Sequence, residues 1–393
     1  MRDQTIETAA TVGDDAPAAA SAKTRLSEYV DYFSSDIDAL SAQSSRLADL
    51  SVSFPGLLFA LATSYGTKAE RRRAIAAVID GVPLKRICAD LGLAMWLRPL
   101  PPQAFAAPLL SLPDTPELTR RISNFVPTEP AAGRAWLHRI SDAYCFGGPD
   151  YMLWMGRQKR LPFKAEGADA LMLLGSYVWA SRRRHTVAGD LVTMPFAKTM
   201  SLKKAYDMAR VWEQRVDMAI TLGDGVQDTW FAEAEVNGLT FTPLRTLTDF
   251  LDEAATMGNC LDQYAGPINN THVRVFSVRR GETVVANLEL APHDDDCLMP
   301  TIEQLRGPRN NRAAPDVWQA TYAWLGAQKF SSFPGPSHGG RASAASTWKK
   351  IWNPLFADLA PNQPLRQRAR QFAKRAHGHS GVMREASRVA LDI

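Results

Sequence analysis

The chain has 393 residues, 46% of them hydrophobic and 22% charged, with 25 Gly and 25 Pro; these ordinary values exclude a wholly disordered chain, a collagen and a coiled-coil rod. Lys and Arg number 45 against 41 Asp and Glu, a formal net charge of +4, and the 4 cysteines are too few for a disulfide scaffold.

Residues 1–23, rich in Ala, Thr and Asp with no apolar period, are expected to form a disordered tail. They carry Asp3, Glu7, Asp14 and Asp15 where a leader needs a basic start and an apolar middle. From Leu26 the spacing turns helical: Leu26, Tyr29, Val30, Phe33, Ile37 and Leu40 fall three and four apart. Pro55-Gly56 breaks the next stretch, and helices are predicted over Ala69–Asp80 and Pro83–Leu91. Eight prolines between 99 and 130 predict loop with short helical turns. From 131 to 222 three apolar stripes predict helices. One carries Trp136, Ile140, Ala143 and Tyr144. The second spans Glu166–Arg184. The third spans Ser201–Leu222, with Ser201 as N-cap and Gly223 as stop.

The period then shortens to two. Trp230, Ala232, Ala234 and Val236 alternate, Asn237-Gly238 supplies a tight turn, and Leu239 and Phe241 resume. Thr246 caps a helix carrying Leu247, Phe250, Leu251 and Ala254, ended by Gly258-Asn259. Cys260 to Tyr264 reads as a further helical turn, closed by Gly266-Pro267. A second hairpin joins Val273–Val278 to Val284–Leu290 through Gly281-Glu282, and a third strand is expected over Thr301–Leu305. Glu289 and Glu303 are expected to face each other across that part of the sheet. A helix opens at Asp316 and carries Trp318, Tyr322 and Leu325. Residues 331–346 read as a flexible linker and 347–393 as a basic, partly helical tail. The fold class expected is α+β: a helical domain at 24–228 and a small antiparallel sheet of hairpins in a module at 229–330.

Charge is unevenly spread. Residues 1–305 hold 31 basic and 37 acidic side chains, whereas residues 306–393 hold 14 and 4. A basic end on an acidic body points to an anionic partner, DNA, RNA or a nucleoprotein. Two groups of side chains would make the phosphate contacts. Arg306, Arg309 and Arg312 follow the third strand, and Arg366, Arg370 and Lys374 share one helical face at four-residue spacing.

The segment 235–311 resembles the PcfJ-like domain of conjugative plasmids, integrative elements and phages. The resemblance rests on Gly258-Asn259-Cys260-Leu261-Asp262-Gln263-Tyr264, on the strands Val273–Arg279 and Val285–Leu290, and on the close Gln304-Leu305-Arg306-Gly307-Pro308-Arg309-Asn310. The family pattern has His where this chain has Asn259, and Thr where it has Asn287. The likeness covers about a fifth of the chain. It implies a mobile-element or phage association and brings no established activity with it.

Among groups that carry chemistry, Cys260 follows a helix break, with His272 as a candidate base and Gln304 as orienter or oxyanion donor for a cysteine-dependent hydrolase or transferase. The competing expectation is a small apolar residue packed under the hairpin. Cys88, Cys145, Cys260 and Cys297 form no CxxC pair. His377 and His379 lack a third ligand, and Asp294–Asp296 lacks a calcium-hand ladder, so no metal is expected. Gly335–Gly340 is followed by Arg341-Ala342 where a phosphate loop needs Lys-Ser/Thr, so no nucleotide cofactor is expected from it. With no apolar run of about 18 residues, the chain is expected to be cytoplasmic and free of membrane.

Overall fold

The computed structural model describes residues 31–127, 129–158, 167–270, 272–292, 300–329 and 340–376. The 1–23 tail, the Asp294–Asp296 loop, Cys297, His377 and His379 lie outside those residues. The chain divides into two units, Met1–Leu161 and Pro162–Ile393. The expected 24–228 helical domain is therefore cut near 161. Its last helices belong to the second unit because their apolar stripes pack there on one another and on the C-terminal helices.

The first unit is helical: α1 (Asp31–Ser41), α2 (Ser45–Ser53), α3 (Pro55–Ala62), α4 (Lys68–Ile79), α5 (Leu84–Leu91), α6 (Pro116–Ile122) and α7 (Pro130–Gly156). Local chemistry sets the boundaries. The Ser44 hydroxyl accepts from the Arg46 N–H to start α2. Thr67 and Glu70 form a reciprocal capping box on α4, and Thr115 caps α6 ahead of Pro116. Helix α7 breaks at Gly148 (φ 67°, ψ −161°), immediately before Pro149, whose ring cannot continue the ladder. The core centres on Phe59, edge-on to Phe33 at 5.1 Å and stacked on Phe105 at 5.7 Å. Gly56 lets that ring approach closely: a Cβ there would sit 2.8 Å from the Phe105 ring, which would have to shift.

In the second unit α8 (Gly167–Ser181), α9 (Val187–Asp190) and α10 (Leu202–Leu222) precede the sheet. The Ser201 hydroxyl accepts from Lys204 N–H and Gly223 ends α10, both as the pattern predicts. The sheet is a five-stranded antiparallel meander in sequence order: β1 (Ala234–Val236), β2 (Leu239–Pro243), β3 (Arg274–Arg280), β4 (Thr283–Ala291) and β5 (Thr301–Arg306). Asn237 and Gly238 both take positive φ, as the tight turn between β1 and β2 requires. β1 begins only at Ala234 and leaves Trp230 outside the strand at φ 66°, under the Arg274 guanidinium at 4.7 Å.

Period-two alternation divides the sheet into two faces. On one, Phe241, Phe276, Val278, Ala286, Leu288 and Leu305 are buried against α13 (Pro315–Gly326). Trp324 of that helix stacks on Phe241 at 4.7 Å and 7° and meets Phe276 edge-on at 5.1 Å. The other face presents Val275, Ser277, Asn287 and Glu289, and helix α11 (Leu247–Met257) approaches it through Glu253.

Two further expectations are corrected. Gly266 and Pro267 do not close the turn after Cys260; they lie in the first turn of α12 (Ala265–Asn270), where a proline costs little. The linker expected over 331–346 ends by 340, because α14 (Gly340–Asp358) starts there, with α15 (Gln363–Ala376) behind it. Ala344, Trp348, Ile351, Trp352, Leu355 and Phe356 of α14 are buried, and Trp352 meets Trp212 of α10 edge-on at 5.8 Å. Small residues at 342–346 lower the intrinsic stiffness of a chain, but the burial that follows them makes them a helical first turn. Among the described residues no helix is long and apolar enough to cross a membrane.

Candidate functional site

The polar face of the sheet carries a cleft lined by Asn259, Cys260, Leu261, Tyr264, Val275, Asn287, Glu289, Gln304, Arg306 and Asn310. About 320 Å³ of empty space, partly open to solvent, lies within it. Five elements supply these walls: the turn after α11, strands β3, β4 and β5, and the turn that follows β5.

The turn after α11 is held from three sides. A reciprocal Thr246–Asp249 capping box starts α11, and Gly258 (φ 63°) ends it in the left-handed conformation glycine tolerates. The Asn259 side-chain amide donates to Asn287 Oδ1 at 2.7 Å, and Asn259 Oδ1 accepts from Leu261 N–H at 3.3 Å. Asn287 Nδ2 in turn donates to Glu253 Oε1 at 2.6 Å. The outer end of this relay is Arg279, 3.4 Å from Glu253 Oε2. Glu253 is only 2% exposed, so these partners offset the cost of burying its charge. From the helical side, Arg215 of α10 pairs with Asp262 at 3.0 Å.

Within the cleft the Tyr264 hydroxyl donates to Glu289 Oε2 at 2.7 Å. Burial, and then this bond to a carboxylate, raises the Tyr264 pKa, so the phenol keeps its proton. Burial also raises the Glu289 carboxyl above the usual carboxylate value; the Tyr264 hydrogen bond opposes the rise and Glu303 adds to it. A bulge after Glu289 sets Gln304 directly across from it on β5. Glu303, the residue expected to face Glu289, is displaced into that irregularity and is exposed.

The turn after β5 is strained. Arg309 (φ 55°) and Asn310 (φ 57°) are consecutive left-handed residues without glycine. Gly307 N–H donates to Asn311 O at 2.9 Å, and Asn311 closes back on Pro308 O through backbone and side chain. This lock carries Asn310 into the cleft wall. Arg306, Arg309 and Arg312 are exposed around it, with no carboxylate partner among the described residues.

The constellation expected from the sequence is thus only partly assembled. Cys260 is exposed and lines the cleft with Gln304. His272 does not line it: it sits ahead of β3 at φ 54°, its Nδ1 buried without a partner among the described residues and its carbonyl held by Arg274. Its place at the strand entry, out of the period shared by Val275 and Ser277, is the reason. Nor does Cys260 open a helix long enough for a dipole to act on it; it precedes the three-residue 3-10 turn Leu261–Gln263. Tyr264, Asn287 and Glu289 are site residues that sequence reasoning misses. The signal that could have found two of them is the alternation that sets Asn287 and Glu289 on the face opposite Leu288 and Leu290.

The second expected contact surface is docked rather than free. Leu365, Ala369, Phe372 and Ala373 of α15 are buried. Arg366 and Arg370 are half-buried with their Nε atoms covered, and Arg370 lies over the Phe356 ring at 5.4 Å. Lys374 stays exposed, while Arg375 is ion-paired with Asp169 of α8 and Arg183 with Asp358 at 2.7 Å.

No protein-family model, curated protein or solved structure matches this chain.

Proposed function

We propose that this chain is a PcfJ-like accessory protein of a mobile element or phage, and that it engages nucleic acid through the arginine-bearing turn beside the cleft. One observation carries the reading. Cys260, Tyr264, Glu289, Gln304 and Asn310, which match the family pattern, and Asn259 and Asn287, which depart from it, are scattered over about 50 positions yet line a single cleft. The apolar residues of the same pattern, Leu288 and Leu290, are buried on the opposite face of the sheet, so it is the polar members that gather at the cleft. Arg306, Arg309 and Arg312 stand exposed next to that cleft, free of any carboxylate among the described residues, where guanidinium groups can fork onto phosphates. The tail helix contributes less, because Arg366 and Arg370 are spent on packing and Lys374 is left to act alone.

The test is charge reversal, not truncation, because removing residues 346–393 would strip Trp348, Trp352 and Phe356 from the core of the second unit. Converting Arg306, Arg309 and Arg312 together to Glu should abolish gel-shift binding of an oligonucleotide. Single changes should weaken it and lower the slope of log K against log salt by about 0.9 for each duplex phosphate that is no longer neutralised. Wild-type affinity and slope in the triple variant would remove the proposal.

A second reading is favoured by the exposure of Cys260 in the same cleft: a cysteine-dependent hydrolase or transferase. In that reading the proton acceptor is Glu289 rather than His272, because Glu289 lines the cleft with Cys260. Cys260→Ala would leave nucleic-acid affinity intact while removing any turnover.

A further inference from the structure

Resting on the cysteine-dependent reading, we infer that the cleft is a hydrolytic site for an ester or thioester, in which Glu289 and Gln304 hold a water that releases an acyl group from Cys260. Size restricts the occupant first. Measured as room for the centres of water molecules, the cleft holds about 30 Å³. One ordered water takes roughly 10–15 Å³ by that measure, so about two fit and a ring or a chain of substrate does not. Only a carbonyl group can enter, with the rest of the substrate outside the rim.

The polar groups around that space decide what fills it. Glu289 is 7% exposed. Its Oε2 accepts from the Tyr264 hydroxyl at 2.7 Å, and Oε1 has no donor among the described residues. A buried carboxylate oxygen without a donor is costly, and a water that bridges it to other polar groups removes that cost. Gln304, set across from Glu289 by the bulge, and Asn310 have carboxamides with no partner among the described residues and line the same space. Asn259 and Asn287 do not compete, because their facing groups are spent on each other, on Leu261 and on Glu253. Cys260 is exposed and borders the same small volume. It is close enough to act electrostatically on Tyr264, whose proton is held first by burial and by Glu289.

The chemistry balances with water as the one co-reactant. The Cys260 sulfur bonds to the carbonyl carbon as its proton passes to Glu289. The bond to the leaving oxygen or sulfur breaks, and that atom takes the proton away. The water oxygen then bonds to the same carbon as Glu289 accepts one of its protons. The C–S bond to Cys260 breaks, the sulfur recovers the proton, and a carboxylic acid departs. Burial raises the Glu289 carboxyl, which makes it a better base toward water than an ordinary one. His272 lies outside the cleft, so no imidazole is there to protonate a leaving amine, and amides are poor substrates. Transfer to another acceptor is disfavoured because the space beside Glu289 admits a water and not a second substrate.

The full chain is mixed with p-nitrophenyl acetate. Released p-nitrophenolate is followed by absorbance, and the acetyl adduct on Cys260 by peptide mass spectrometry. Wild type should turn over repeatedly and hold little adduct, and Cys260→Ala should not turn over. Glu289→Gln should give a burst of about one equivalent and keep the adduct at least about tenfold longer, with native circular dichroism. Gln304→Ala should lengthen the adduct's lifetime by a smaller factor. Decay of the wild-type adduct should slow as pH is lowered and the carboxylate is protonated, a step that Glu289→Gln lacks. An adduct that persists equally in wild type and Glu289→Gln overturns the hydrolytic water and leaves Cys260 a nucleophile for transfer alone. A Cys260 that takes up no acetyl group removes the cysteine-dependent reading and this inference together.

Discussion

Asn259 and Asn287, 28 residues apart, are hydrogen-bonded to each other, amide to carbonyl, at 2.7 Å. Asn259→His and Asn287→Thr should therefore each destabilise the fold, by about 1–3 kcal/mol, since each leaves a polar partner unsatisfied. The double variant should cost less than the sum, with a coupling of roughly 0.5–3 kcal/mol. Urea melts of the three variants measure it; strict additivity would show that the pair is not coupled.

Glu253 anchors the same relay. Glu253→Ala leaves Asn287 Nδ2 without its acceptor and opens a cavity under the sheet, which should cost about 3–5 kcal/mol. Glu253→Gln keeps an acceptor for Asn287 and gives up only the long pairing with Arg279, so it should cost no more than about 1 kcal/mol. Equal destabilisation in the two variants would mean that the side chain acts by volume and not by hydrogen bonding.

The raised carboxyl of Glu289 makes stability depend on pH. Between the ordinary value of 4.5 and its folded value, the native state holds a proton that the unfolded state has released. Stability from this group is therefore full below 4.5 and falls as pH rises through the folded value. Glu289→Gln removes the titration while preserving an acceptor for Tyr264. The variant should show a flatter stability profile just above pH 4.5 and at least wild-type stability at neutral pH. A profile parallel to wild type would mean that Glu289 is not shifted.

Trp324 carries the other face of the sheet, touching Phe231, Phe241 and Phe276. Trp324→Ala should cost about 3–5 kcal/mol, because the three rings around it cannot collapse into the space of an indole. A drop below about 1 kcal/mol in denaturant melts would contradict the packing.

The cysteines should separate by accessibility. Cys260 is exposed, whereas Cys88 is buried and its thiol is pushed up to about 12, first by burial and then by Asp114. Iodoacetamide at neutral pH should modify Cys260 in the folded protein and reach Cys88 only after denaturation, as read by peptide mass spectrometry. Protection of Cys260 would close the cleft assigned to it.

Local patterning is enough to write down most of the described elements, although α2, α3, α9 and the start of α14 escape it. Thr246, Ser201, Gly258 and Asn237-Gly238 act through their own backbone neighbours, and the alternation from Val284 to Leu290 depends only on the pleat. Those are short-range effects, so a linear reading captures them. What it cannot reach are relations among distant segments. It pairs Cys260 with His272, twelve residues on, because nearness along the chain is the only distance a sequence offers. The fold instead sends His272 out of the cleft and brings Glu289 and Gln304 into it, since a one-residue bulge decides which side chain on β5 faces which on β4. The arginines of the tail are legible as charge but not as packing. Whether a guanidinium meets solvent, as at Arg306, or an aromatic ring, as at Arg370, is decided only when the helix or turn that carries it docks.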